Sequence, residues 1–156
     1  MEIRQSFQQL FIFDLWCTRK LTDSIKEAGK FREYKTCLSF LSHIVNAQQI
    51  WFDRVLGIGI NDTKPWDEMD ISLIKSEAGE IHKRWVDLIG DHDLELESRI
   101  VYQNSGGNTC INSITDICNH IILHGQHHRA QISILLSRSG ISPPLIDYIH
   151  YARGKM

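Results

Sequence analysis

The sequence predicts an all-α fold, an antiparallel four-helix bundle with a short hairpin or loop before the fourth helix. Two observations carry this prediction. Four long stretches repeat apolar residues every three or four positions, and the connections between them show no repeated strand pattern. Such stripes most simply bury their apolar faces against one another. The 156 residues are enough for one domain with its own core, and we expect a single domain over residues 1–156.

The first three helices are predicted from their apolar stripes and from the glycines that follow them. Residues 2–28 form the first stripe, which ends near Gly29, and residues 36–56 form the second, which Gly57 closes. Glycine, Asn, Asp and Pro residues in the segment 57–69 indicate a connecting loop. A third stripe starts at residue 71 and is stopped by Gly90.

The helical period is lost between residues 91 and 110 and then returns. Residues 99–103 indicate a short strand, and residues 104–108 a turn. Ser113 and Asp116 have the spacing of a capping box, so the fourth helix is predicted to begin near Ser113. It is predicted to run to about Ser139, because Gly140 suits a helix end and two prolines follow. The last segment, 145–153, is expected to pack back on the bundle.

Composition excludes several classes of protein. The 17 basic and 19 acidic residues give a formal charge of −2, which argues against a nucleic-acid-binding surface. No apolar run approaches the length of a membrane span, and the first residues lack the apolar core of a signal peptide, so we expect a cytoplasmic protein without membrane contact. The 4 cysteines form no Cys-x-x-Cys pair and are expected to be reduced thiols.

Histidines cluster in the fourth predicted helix, where four of the chain's 8 fall within residues 120–128. His124 and His128, spaced i and i+4, lie inside or at the border of the apolar stripe, whereas His120 and His127 lie further from its centre. This spacing lets two ring nitrogens converge on one divalent metal ion. Core histidines bonded to carbonyls, a carboxylate or water are the other interpretation, and the spacing leaves both open.

His43 on the second helix is the best candidate for a third ligand, because an antiparallel bundle brings mid-helix residues together. It lies off the main apolar stripe but aligns with a second edge formed by Phe40, Ala47 and Ile50. A hydrogen-bonded interface histidine is the alternative. Zinc proteases require Glu at the place of Gly125, and the Glu-x-x-His pattern of di-iron bundles is absent, so neither chemistry is supported.

Two segments carry a family resemblance: residues 41–54 (LSHIVNAQQIWFDR) and residues 120–132 (HIILHGQHHRAQI). They resemble the DinB family of four-helix-bundle metal-dependent proteins, and the similarity covers most of the chain. The position of Trp16 and the hairpin-like stretch before the fourth helix agree with it, although Ala130 stands where the family often has Gly.

This resemblance implies a divalent metal ion, zinc or nickel, held by His43, His124 and His128. Three histidines leave a position for water or substrate, as in catalytic rather than structural sites. Characterised relatives transfer low-molecular-weight thiols such as bacillithiol or isomerise substrates with mycothiol. The resemblance therefore implies a thiol transferase or a hydrolase acting on a small molecule, with a low-molecular-weight thiol as a candidate co-substrate. It also implies a homodimer. The alternative is a non-catalytic dimeric metal-binding or stress-response interaction module.

Further residues are candidates for supporting roles. Asp14 falls on the buried stripe of the first helix and is expected either to orient a ligand histidine or to pair with backbone or water. Trp16, Trp51 and Tyr148 are candidates for the wall of a substrate pocket, with core packing as the alternative. We expect packing or interface hydrogen bonds from the residues after the histidine pair, Arg129 and Gln131. The spacing of His82, His92 and His150 in the sequence does not indicate a functional role for them.

Overall fold

Helices dominate the structure, a computed structural model that describes residues 3–59 and 62–154. Within these residues the order of elements is α1 (Ile3–Ala28), α2 (Tyr34–Val55), α3 (Ile71–Gly90), β1 (Arg99–Gln103), β2 (Thr109–Ser113), α4 (Ile114–Arg138) and α5 (Tyr148–Arg153). The mainly helical class is confirmed, and the stricter antiparallel four-helix arrangement stays a prediction. Residue 2 of the predicted first helix and residues 60 and 61 of the predicted loop lie outside the described residues.

Local signals set several of the helix ends. Ser113 Oγ accepts a hydrogen bond from the Asp116 backbone N–H at 3.0 Å, and Asp116 Oδ2 accepts from the Ser113 N–H at 3.2 Å, which confirms the capping box. Gly140 has φ 75°, the left-handed conformation expected after the last turn of α4. α2 begins two residues earlier than predicted. Glu33, which precedes it, makes no side-chain capping hydrogen bond, so no capping pattern in the sequence marks this start.

The stretch before α4 is a hairpin. β1 and β2 pair antiparallel, with Tyr102 opposite Cys110. In the turn, Asn104 Oδ1 accepts hydrogen bonds from the N–H groups of Gly106 and Asn108 at 2.9 and 3.0 Å. β2 ends at Ser113 and α4 starts at the next residue, so the hairpin is joined to α4 without a linker.

Packing of the long helices is centred on aromatic contacts. α1 packs mainly against α3 and α4, and α2 packs against α4 and α3. Trp85 of α3 is fully buried, stacks on Phe11 at 5.3 Å between ring centroids and meets Phe52 edge-on at 5.2 Å. Its indole N–H donates to the Gln48 carbonyl at 3.2 Å, which satisfies its polar atom. None of the helices in the described ranges has the length and apolar character needed to cross a membrane.

Candidate metal centre

Three histidine side chains meet where α2 packs against α4. His43 Nε2 lies 3.0 Å from His124 Nε2, and His128 Nε2 lies 3.2 Å from the same atom. The ligand atoms of the three residues all lie within 4.8 Å of one another. Because His124 and His128 are one helical turn apart, their rings project from one face of α4, and His43 approaches from α2. The structure thus brings together the three residues predicted as metal ligands.

Two of the rings are held by hydrogen bonds at the nitrogen that faces away from the cluster. His43 Nδ1 donates to the Pro65 carbonyl at 2.7 Å, and His128 Nδ1 donates to Gln131 Oε1 at 2.7 Å. Both partners are oxygens that accept, so each ring carries its hydrogen at Nδ1 and, when neutral, presents a lone pair at Nε2. Such outer hydrogen bonds are typical of histidines that bind metals.

The donor set fits a divalent cation. His124 Nε2 can carry at most one hydrogen, whereas it faces the lone pairs of both His43 and His128. At least one contact between two lone pairs therefore remains unless a cation lies between the nitrogens. In a tetrahedral site with metal–nitrogen distances near 2.0–2.1 Å, the ligand nitrogens lie about 3.3 Å apart. The two separations from His124 Nε2, 3.0 and 3.2 Å, are close to that value.

Burial keeps these imidazoles in the neutral form that metals bind. Burial, together with the neighbouring His128 and His43, lowers the pKa of His124 to about 3. Burial also lowers the pKa of His43, although the hydrogen bond to the Pro65 carbonyl acts in the opposite direction. The pKa of His128 is likewise lowered by burial against the effect of Gln131. No proton competes strongly for these nitrogens at neutral pH.

Aromatic rings cover two of the histidines. Trp66 stacks on His43, with ring centroids 3.7 Å apart and planes inclined by 3°. Phe40 stacks on His128 at 5.3 Å and 25°. Trp66 was not predicted as a site residue, because it lies in the loop between α2 and α3, where no apolar period marks it. Its neighbour Pro65 accepts the hydrogen bond from His43, a contact that no sequence pattern indicates.

A cavity of about 810 Å³ lies beside His43 and His124. Its wall includes Trp51 of α2, one of the three candidates for a pocket wall, and Tyr102 of β1. The rings of Trp51 and Tyr102 meet edge-on at 5.0 Å. The volume falls within the range of small-molecule sites.

The other two predicted pocket residues lie elsewhere. Tyr148 meets Phe13 edge-on at 5.1 Å, and Trp16 packs against Tyr151 at 5.3 Å, where α5 covers α1. Neither residue lines the cavity beside the histidines. Of the three candidates for a pocket wall, Trp51 alone therefore lines the cavity beside the histidines. The cause is the course of the chain after α4, which brings α5 to Phe13 and Trp16 of α1.

Asp14 orients a histidine, but not one of the three ligands. Its buried carboxylate pairs with Arg129, accepts from Gln48 Nε2 at 2.8 Å and faces His82 Nε2 at 2.8 Å. In the described residues these partners are all outside the three-histidine cluster, which corrects the expected link to a metal ligand. His82 sits four residues after Ala78 and three before Trp85, a position on the buried stripe of α3 that could have identified it.

These features define a class: a helical protein with a candidate three-histidine metal centre beside a cavity. The model of the DinB family matches residues 15–155, nearly the whole chain. The chain therefore belongs to the DinB family, and the resemblance seen in its sequence is confirmed. No curated protein and no solved structure shows significant similarity to it.

Proposed function

We propose that the protein is a metal-dependent enzyme that activates a low-molecular-weight thiol or a water for attack on a small electrophilic substrate. The observation that carries the proposal is the convergence of three imidazole Nε2 atoms at a cavity of about 810 Å³. His43, His124 and His128 would hold zinc or nickel. A bound divalent cation supplies Lewis acidity, which lowers the pKa of a thiol or water ligand.

The number of protein ligands supports a catalytic rather than a structural centre. Structural zinc sites have four protein ligands, and catalytic sites have three with one position open. In the described residues the cluster contains three ligands, two of which line or border the cavity. The hydrogen bonds from His43 to Pro65 and from His128 to Gln131 fix the ring orientations, and Trp66 shields His43 from water.

The burial of most cysteines of the chain supports the use of an external thiol as the nucleophile. Cys17, Cys37 and Cys118 are buried, and burial raises their pKa values to about 12, 11 and 12. Such thiols carry little thiolate at neutral pH and are poor nucleophiles. Cys110, the fourth cysteine, is partly exposed and does not line the described wall of the cavity. A thiol reaction at this site would therefore use a small thiol that enters the cavity.

Elemental analysis of tag-free protein tests the metal centre. We expect about one equivalent of a divalent ion in the wild type and its loss in His43→Ala, His124→Ala and His128→Ala. His127→Ala is the matched control, because His127 lies in the same block of α4 but is exposed and outside the cluster. If the wild type is empty and cannot be loaded, the proposal fails and the non-catalytic interaction module is the better description.

Cobalt substitution tests the chemistry proposed for the centre. A small thiol added to the cobalt-loaded protein should change its absorption spectrum, because the thiol would bind the ion. Retention of the original spectrum at saturating thiol would remove the support for thiol activation and leave activation of water.

A further inference from the structure

Arg54 shares a face of α2 with His43. It lies eleven residues after His43, which places the two within about 20° of each other around the helix and about 16 Å apart along it. Both residues line the same cavity, together with Ala47 and Ile50 from the turns between them. The cavity thus extends from the histidine cluster to a guanidinium group near the hairpin.

The guanidinium of Arg54 is positioned by aromatic rings and by the hairpin. Its central carbon lies 4.5 Å from the ring centroid of Trp51 and 4.9 Å from that of Tyr102. One Nη donates to the Gln103 carbonyl at 3.2 Å. These contacts come from α2 and β1, so the cation is held at the cavity wall rather than extended into solvent.

No carboxylate of the described residues forms an ion pair with Arg54. Asp53, its neighbour in the chain, also lines the cavity, and its Oδ1 accepts from Gln49 Nε2 at 2.8 Å. A guanidinium has five N–H donors, and Gln103 uses one of them. Burial lowers the pKa of Arg54, whereas Tyr102 and Cys110 act in the opposite direction. An anion in the cavity would offset the cost of this burial.

We propose that Arg54 binds the carboxylate of an extended substrate or co-substrate whose other end reaches the histidine cluster. This inference rests on the proposed function, because it assumes that the reactive group lies at His43 and His124. Two observations favour a carboxylate over a phosphate. Arg54 is the one Lys or Arg side chain on the described wall of the cavity, and the edge of a single guanidinium matches two coplanar oxygens.

The test compares two thiols that differ at one end, 8-mercaptooctanoate and 8-mercaptooctanol. Calorimetry measures their affinities for zinc-loaded wild type, Arg54→Met and Arg84→Met, and absorption of the cobalt-loaded proteins reports binding of the thiol to the ion. Arg84 is the matched control, because its guanidinium packs on Phe52 at 4.3 Å and donates to Gln49 but does not line the cavity. Arg54→Lys, which keeps the charge, covers the case in which Arg54→Met does not fold.

We expect the carboxylate to bind wild type and Arg84→Met about tenfold more tightly than the alcohol, the ratio typical of one charged hydrogen bond. In Arg54→Met the preference should disappear while the alcohol binds as before, and Arg54→Lys should keep part of it. A cobalt spectrum that responds to both thiols without a carboxylate preference overturns the inference and leaves thiol activation intact. If the carboxylate is preferred but the cobalt spectrum does not respond, thiol activation alone is overturned. If neither the preference nor the spectral response is seen, the inference about Arg54 and thiol activation are both overturned.

Discussion

Asp14 of α1 and Arg129 of α4 form a fully buried ion pair, and Arg129 directly follows the predicted metal ligand His128. Arg129 also donates to Thr18 Oγ1 at 3.3 Å, and the remaining carboxylate oxygen of Asp14 faces Gln48 and His82. Side chains from all four long helices therefore contribute to one polar cluster in the core. This cluster fixes α4 against α1 next to the turn that carries the histidines.

Removal of one partner of this pair should be strongly destabilising. We expect Asp14→Ala to lower the free energy of unfolding by about 3–5 kcal/mol, because it leaves the guanidinium of Arg129 buried without a counterion. Urea denaturation measures the change. In the double variant Asp14→Leu with Arg129→Met, the loss in free energy of unfolding should be smaller than the sum of the losses in the two single variants. Asp87→Ala, which breaks the exposed pair with Lys83, is the control and should have little effect.

The same carboxylate should contribute to acid sensitivity. Burial acts to raise the pKa of Asp14, but the charges and hydrogen bonds of Arg129 and His82 outweigh it and hold the pKa well below its usual range. The folded-state pKa of Asp14 is below the unfolded value of about 3.9. The ionised carboxylate therefore contributes fully to the free energy of unfolding above that pH, and the contribution is lost as pH falls through the folded pKa. Urea unfolding from pH 6 to pH 2 should show a steeper loss in wild type than in Asp14→Asn. Parallel curves would contradict this assignment.

Two helical glycines should respond in opposite ways to substitution by Ala. A Cβ at Gly125 would lie 2.8 Å from Asp14 Oδ1 and 3.0 Å from the Arg129 guanidinium, so Gly125→Ala must displace the buried pair. At Gly79 the nearest atom is the end of the flexible Arg19 side chain at 3.2 Å, and the ordinary helix preference for Ala should dominate. We expect Gly79→Ala to raise stability by about 0.5–1 kcal/mol and Gly125→Ala to lower it. Thermal melts compare the two, and equal shifts would exclude the close approach at Gly125.

Gln131 should set the metal affinity without touching the ion. Its Oε1 accepts from His128 Nδ1 at 2.7 Å, so Gln131→Leu frees the ring and loses the orientation of Nε2. We expect about 10–100-fold weaker zinc binding, measured by competition with a chromophoric chelator. Gln5→Leu changes an exposed glutamine of α1 and should leave the affinity unchanged. An unchanged affinity in Gln131→Leu would show that His128 is oriented by packing alone.

The homodimer expected from the family resemblance stays a prediction. Gel filtration with light scattering at micromolar concentration measures the mass directly. Twice the chain mass is the expected result, and the mass of a single chain would contradict it.

Features set by local sequence were predictable, whereas those set by contacts between distant segments were not. The capping box of Ser113 and the i, i+4 spacing of His124 and His128 are local. The first identified the start of α4 correctly, and the second placed both rings on one face of α4, where their Nε2 atoms lie 3.2 Å apart. Helix periodicity also placed Asp14 in the core. It could not name the partner of Asp14, because His82 comes from another helix whose rotation relative to α1 is a tertiary property.

The contacts on the wall of the cavity could not be predicted from the sequence for the same reason. Arg54 and Tyr102 meet because the hairpin folds back over the end of α2, and Trp66 reaches His43 from a loop. None of these contacts has a period or spacing in the sequence. The aromatic residues Trp16 and Tyr148 could not be separated from Trp51 by composition, since all three are large rings on amphipathic segments.

The stacking of Trp66 on His43 gives the protein an internal optical reporter. The centroids of Trp66 and His43 are 3.7 Å apart, and at this contact we expect a charged imidazole or a bound paramagnetic ion to quench the indole emission. Because the chain has 4 Trp residues, the Trp66 contribution is the difference in emission between wild type and Trp66→Phe, and this difference should follow cobalt or nickel loading. Time-resolved emission could then follow the arrival of the ion and of a ligand as separate events in a single sample.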